Sequence, residues 1–233
     1  MVLVKKIRAP VYWRIGKKGT TWAVTPRAGP HPKFFCIPLL IIVRNILGYA
    51  ETAREAKSII KKGEILVDGK PRRDHKYPAG LFDVISLPKI KKHYRIVPYP
   101  KGLKLVEIGE NESKIKLVKV VRKVKVKGGK IQLGLHDGKT ILTDNNKIKP
   151  HDSLIIELPS LKIVKHIPLE KGKLGLVFKG NKAGFYGEIA DILKGGFGRK
   201  WEVIIKSGKE SESVYRENVV VVGDEKPEIT IGE

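Results

Sequence analysis

Six histidines (His31, His75, His93, His136, His151 and His166) and one cysteine, Cys36, are the side chains that could hold a metal ion or attack a substrate. Their spacing supports neither role. Zinc ligands recur at short intervals, and these residues are scattered along the chain. A lone cysteine forms no internal disulfide. No G-x-x-x-x-G-K-[ST] loop or G-x-G-x-x-G fingerprint is present to cradle a nucleotide. What the chain has in quantity is cationic side chains. There are 47 Lys and Arg against 24 Asp and Glu in 233 residues, a net charge of +23 with a pI near 10.0. Such an excess suits the neutralisation of a large polyanion and argues against a small-molecule enzyme.

The charge is unevenly placed. Residues 1–50 hold nine basic groups and no carboxylate; Glu51 is the first acid. Residues 51–98 carry 12 basic and 6 acidic groups, residues 99–168 carry 15 and 7, and residues 169–233 carry 11 of each. The expected phosphate contacts therefore begin with Lys5, Lys6, Arg8, Arg14, Lys17, Lys18, Arg27, Lys33 and Arg44. Tyr12, Trp13 and Trp22 lie among them and suit either base stacking or packing of the segment onto the body.

These side chains need elements to position them. Prolines and glycines interrupt residues 1–36, which read as an irregular basic arm that orders on its polyanion. Pro38 to Gly48 predicts a helix of about three turns. Thr52-Ala53-Arg54-Glu55 is a capping box that opens a second helix, closed by Gly63. Ala53, Ala56, Ile59 and Ile60 share its apolar face, and Arg54, Lys57, Ser58 and Lys61 the opposite one. Ile65 to Val67 and Phe82 to Leu87 predict strands, with a tight turn at Asp68-Gly69. Between them lies a basic loop containing Arg72, Arg73, His75 and Lys76.

The string Thr52-Ala53-Arg54-Glu55-Ala56, with Ile59-Ile60, Gly63, Ile65 to Lys70 and Asp83-Val84-Ile85, resembles the S-four-type RNA-binding domain. That resemblance implies two helices and a small sheet around a basic surface for structured RNA. Arg54, Lys57, Lys61 and Lys62 would face the RNA, and the loop with Arg72, Arg73, His75 and Lys76 would extend the surface.

Residues 99–168 read as β-rich. The alternation from Ile115 to Val126 slips in phase, which predicts a bulge or two short strands. Its lysines, Lys116, Lys119, Lys123, Lys125 and Lys127, are expected to project mostly to solvent. From Gly172 the glycine-rich pattern resembles the KOW motif, a small β-barrel, with Lys179 and Lys182 in its contact loop.

The order of these parts resembles the archaeal and eukaryotic small-subunit ribosomal proteins of the "S-four-e" family. Ala9-Pro10-Val11-Tyr12-Trp13, Gly29-Pro30-His31, Cys36-Ile37-Pro38-Leu39 and Tyr77-Pro78-Ala79-Gly80 support the likeness. The acidic end, Asp224-Glu225-Lys226-Pro227-Glu228, points to an archaeal member.

The expected fold is thus α+β and multi-domain. A basic arm (1–36) precedes the S-four-type RNA-binding domain (37–98), a central β-rich domain (99–168), a KOW-containing barrel (169–223) and an acidic tail (224–233). The expected partners are small-subunit ribosomal RNA and neighbouring ribosomal proteins, in the cytoplasm. No cofactor, small-molecule substrate or membrane is expected, since no apolar run is long enough to span one. Enzymes that carry the same RNA-binding unit need a further catalytic domain, for which little chain remains. A free RNA chaperone or a KOW-type transcription factor is the rival reading.

Overall fold

The computed structural model describes residues 4–16, 18, 21–196, 199–208 and 210–231. Two compact units divide the chain: Met1–Val97 with Lys101–Lys114, and Pro98–Pro100 with Ile115–Glu233. Strands predominate in a mixed α/β fold, and among the described residues no helix is long and apolar enough to cross a membrane.

In the first unit, β1 (Val4–Lys5) pairs antiparallel with β2 (Trp22–Ala23). The segment is no free arm. Trp13 is fully buried and donates its indole N–H to the Cys36 carbonyl at 2.7 Å, while Tyr12 donates to the Phe34 carbonyl at 2.8 Å. Trp22 stays half exposed, so the two tryptophans divide between packing and display. The expectation of an arm ordered only by its polyanion is corrected by this apolar anchoring, since burying an indole supplies far more than a basic tail could.

The anchor continues at His31, whose ring sits 3.0 Å from the Asp83 carboxylate with both side chains buried. The same carboxylate oxygen accepts the Gly80 N–H at 2.9 Å. A Cβ at Gly80 would lie 2.3 Å from the His31 ring, so only glycine lets the arm approach here.

Next come β3 (Cys36–Pro38) and α1 (Leu39–Ile41), which runs on as a π-type turn, Ile42–Ile46. The Leu47 N–H donates to the Ile42 carbonyl at 2.9 Å, five residues back, so the helical stretch is shorter and wider than the expected three turns. Its Leu39 to Val43 run is wholly buried, as a core helix requires. The helix α2 (Ala53–Lys61) has its capping box formed: Thr52 accepts the Glu55 N–H at 3.2 Å, and Glu55 accepts the Thr52 N–H at 3.4 Å.

A five-stranded sheet completes the unit. β4 (Leu66–Val67), β5 (Lys70–Pro71), β7 (Val84–Leu87), β8 (Lys92–Tyr99) and β9 (Gly102–Ile108) order as β5-β4-β7-β8-β9, while β6 (Pro78–Gly80) pairs with β3. The sheet therefore runs past residue 98, where the sequence placed a boundary. The short helix α3 (Glu110–Ser113) follows, and its Glu112 meets the fully buried Arg95 of β8.

In the second unit, β10 (Ile115–Lys125), β11 (Ile131–Leu135), β12 (Thr140–Thr143), β13 (Ser153–Glu157) and β14 (Ile163–Ile167) order as β12-β11-β10-β13-β14. Along β10 the partner changes from β13 to β11 between Lys119 and Val120, and the phase slip is the register shift that follows between Val120 and Arg122. A second antiparallel sheet contains β15 (Leu174–Val177), β16 (Tyr186–Leu193), β17 (Glu202–Ser207), β18 (Glu210–Tyr215) and β19 (Val219–Gly223), ordered β18-β17-β16-β15-β19.

Two lysines expected in solvent are interior. Lys116 is 0% exposed and lies 3.1 Å from Asp137, itself held down to about 2 because Lys116, His136 and Lys139 outweigh its burial. Lys119 is 3% exposed and donates to the carbonyls of Arg216, Glu217 and Val219 at 2.9, 2.8 and 2.6 Å. Burial, then nearby Arg216, pushes its ammonium down to about 7, and the three carbonyls oppose that loss of charge. The acidic end is also tied in: Asp224 pairs with Lys165 and Lys173, and Glu228 with Lys165 at 2.6 Å. Replacing Lys119 with methionine keeps the stem and leaves three carbonyls without their shared donor. Denaturant unfolding is expected to show the second unit weakened by ~1–3 kcal/mol, with the first unit unchanged.

Candidate nucleic-acid interface

The capping box fixes where α2 begins and therefore which residues face outward. Ala56 and Ile60 are buried, while Arg54, Lys57, Lys61 and Lys62 are exposed. Arg54 and Lys61 are seven residues apart, so the stripe runs ~10 Å along the helix. Among the described residues, no carboxylate lies within ion-pair distance of any of the four. Like charges at i,i+4, such as Lys57 and Lys61, disfavour a helix by ~0.2–0.5 kcal/mol per pair. The capping box, worth about 1 kcal/mol, offsets this. An anionic partner would remove the repulsion altogether.

The basic loop lies close by. Its carbonyls receive the free amides that open α1: Leu39 donates to Tyr77 and Leu40 to His75, both at 3.0 Å. From the other side, the Arg27 N–H donates to the Lys76 carbonyl at 3.0 Å. Asp74 organises the turn. It accepts the Lys76 N–H at 2.9 Å and lies 3.3 Å from the Arg27 guanidinium and 3.7 Å from the His75 ring. The Arg72 guanidinium stacks over Tyr77 at 4.6 Å, and Arg73 is exposed. Burial lowers the His75 pKa from the usual histidine range, and Lys57 is the next cause. That coupling places the helix stripe and the loop within one electrostatic neighbourhood. Arg27, Lys57, Arg72, Arg73, His75 and Lys76 are thus brought together from three segments.

Other expected contacts lie elsewhere in the same unit. Lys5, Arg8, Arg14 and Lys18 are exposed, while Lys6 donates to the Lys18 carbonyl at 3.2 Å. Arg14 and Arg44 meet around Asn45, whose amide donates to the Arg14 carbonyl at 3.5 Å and whose oxygen accepts from the Arg44 guanidinium at 2.9 Å. Lys33 lies over the Phe34 ring at 5.5 Å, and that ring is 59% exposed. Phe34 was not singled out from the sequence, although an exposed ring in an acid-free stretch is the signal that could have found it. Lys17 lies outside the described residues. In the second unit, Lys179 is exposed in the β15–β16 turn, whereas Lys182 is paired with Glu212. Among the described residues, no group of three or more His, Cys, Asp or Glu could hold a metal ion.

The chain is similar to known proteins along most of its length. The ribosomal family S4e model matches residues 90–163, the RS4NT domain residues 4–33 and the S4 domain residues 37–85. The small ribosomal subunit protein eS4 of Korarchaeum cryptofilum is 46% identical over 228 residues, 96% of this chain and 94% of that protein. The protein of the same description from Ignicoccus hospitalis is 40% identical, covering 99% of this chain and 94% of its own length. The crystal structure of the 30S ribosomal protein S4e from Thermoplasma acidophilum superposes with a TM-score of 0.70 at 32% identity, covering 80% of this chain and 94% of that one.

Because burial and then Lys57 lower the His75 pKa, proton uptake should accompany anion binding as the pH falls. A phosphate nearby raises the His75 pKa, so affinity for RNA is expected to rise as the pH drops from about 7.5 to about 5.5. A His75→Gln variant should flatten that profile in a fluorescence-anisotropy titration.

Proposed function

The chain belongs to the ribosomal S4e family, and from that premise we propose how it serves the small ribosomal subunit. It is a structural protein of that subunit, acting in translation in the cytoplasm. Its role there is to neutralise phosphates of small-subunit ribosomal RNA and stabilise the RNA fold, without catalysis and without a cofactor. The observation that carries this reading is the α2 stripe of Arg54, Lys57, Lys61 and Lys62, which has no acidic partner among the described residues and adjoins the basic loop. Neutralised phosphates let like-charged RNA segments approach, and the released counterions supply the driving force. Duplex RNA hides its base edges in a deep major groove, so backbone and shape contacts dominate on this face.

The layout extends the proposal. The basic arm (1–36) and the RNA-binding domain (37–98) act as a single clamp, since the Trp13 and His31 anchors join them. The part of the central β domain (99–168) from Ile115 onward and the KOW-containing barrel (169–223) form a second body facing RNA and neighbouring ribosomal proteins, while Lys101–Lys114 belong with the first unit. In the KOW turn Lys179 is the contact, with Lys182 occupied by Glu212. The acidic tail (224–233) serves structure, because Asp224 and Glu228 are engaged by Lys165 and Lys173.

Replacing Arg54, Lys57 and Lys61 with alanine is expected to lower affinity for a small-subunit ribosomal RNA fragment and reduce the salt slope by up to about three. The parent protein should co-sediment with small subunits through a high-salt wash. An unchanged slope in the triple variant overturns the assignment of the helix face, and recovery of the parent only in the soluble fraction favours a free RNA chaperone.

A further inference from the structure

The carboxy-terminal sheet has a site that neither net charge nor family likeness singles out. At one end of the sheet, Leu193 of β16, Glu202 of β17 and Tyr215 of β18 are direct cross-strand partners, Leu193 opposite Glu202 and Glu202 opposite Tyr215. Paired residues in antiparallel strands share a face, so the three side chains form one row. With Lys194, Gly195, Arg199 and Lys200 of the β16–β17 connection they line a cleft of ≈ 520 Å³, within the range of small-ligand sites.

The lining has the chemistry of a nucleotide. Leu193 and Tyr215 are 46% and 49% exposed, an apolar edge and an open ring. Lys200 sits 5.8 Å over the Tyr215 ring and 3.1 Å from Glu217, so that ring already carries a fixed cation. Lys194 and Arg199 are exposed and, among the described residues, without an acidic partner. Glu202 lies in the middle of the row. One of its oxygens accepts from the Ser213 hydroxyl at 2.6 Å, and its other oxygen receives no hydrogen bond from a described residue. A Cβ at Gly195 would stand 2.1 Å from the Arg199 carbonyl, so glycine there brings the two ends of the connection together and shapes the cleft wall.

We infer that this cleft binds one splayed-out nucleotide of single-stranded RNA, its base stacked on Tyr215 with an exocyclic amino group donating to Glu202. Lys194 and Arg199 take the flanking phosphates. A carboxylate accepts from the amino group of cytosine and repels the carbonyl oxygen that uracil carries at the same position. The site therefore prefers amino-bearing bases, whereas the α2 face reads only backbone and shape. The inference rests on RNA being the partner but on a different unit from α2, and the two readings fail separately.

The experiment uses the full chain with the α2 substitutions Arg54→Ala, Lys57→Ala and Lys61→Ala, titrated at pH 7.5 with labelled C12 and U12 oligoribonucleotides. The expected result is binding of C12 ~fivefold tighter than U12, a preference that Glu202→Gln abolishes. Tyr215→Ala should weaken both by ~fivefold or more, while Tyr215→Phe, which keeps the ring, should bind like the parent. Lys194→Ala with Arg199→Ala should lower the salt slope by up to about two and leave the C12-to-U12 ratio unchanged. Equal affinity for C12 and U12, a ratio that survives Glu202→Gln, or full binding by Tyr215→Ala overturns the inference. None of those results bears on duplex binding by α2, which is read from the parent chain with a 12-base-pair RNA.

Discussion

The structure depends on where a limited set of carboxylates is placed among twice as many cations. Each ammonium or guanidinium that cannot reach water must be given an oxygen, because an unpaired buried charge would cost several kcal/mol. Asp137 meets Lys116, Glu112 meets Arg95 and backbone carbonyls meet Lys119, all at interior positions. Asp74 and Asp83 organise the basic loop and the arm anchor. With these carboxylates so occupied, the outer cations of α2 face solvent without an ion-pair partner among the described residues. Interior pairing and exterior excess are therefore parts of one arrangement, and the excess is what an anionic partner satisfies.

The same logic explains why the arm is held by apolar and neutral contacts. An acid-free stretch contributes no carboxylate to a salt bridge, and its cations lose their use if they are paired. Trp13, Tyr12 and the β1–β2 pair instead fix it through burial and backbone hydrogen bonds. The carboxylate at the His31 contact comes from the body, as Asp83. Arg27 is the exception that links the arm to the loop, and it shares Asp74 with His75.

Local signals carried much of the first unit. The capping box at Thr52 places α2 within a residue, and the helical period alone separates Ala56 and Ile60 from Arg54, Lys57 and Lys61. The phase slip in residues 115–126 marked the change of partner along β10. Less legible was the helix after Pro38, where the apolar run does not distinguish a regular turn from the π-type turn at Ile42–Ile46. The extension of the first sheet through β8 and β9 was hidden as well, because strand partners are chosen by contacts distant in sequence. At the site, charge sign and helix face were readable. That Lys182 is paired and Phe34 displayed was not.

Composition and a 3.6-residue period suffice to give the net charge, its absence from the last quarter, and the face of α2 that carries it. Which lysines are cations for a partner and which are props for the fold is set by long-range packing. Lys116 and Lys119 lie on the same strand as Lys123 and Lys125, with similar neighbours in sequence. Burial against Asp137, and against the carbonyls of Arg216, Glu217 and Val219, commits the first two to the interior. Those partners lie 21 to 100 residues away, so no local pattern could disclose them. The row of Leu193, Glu202 and Tyr215 arises in the same way, from strand register, which composition does not record.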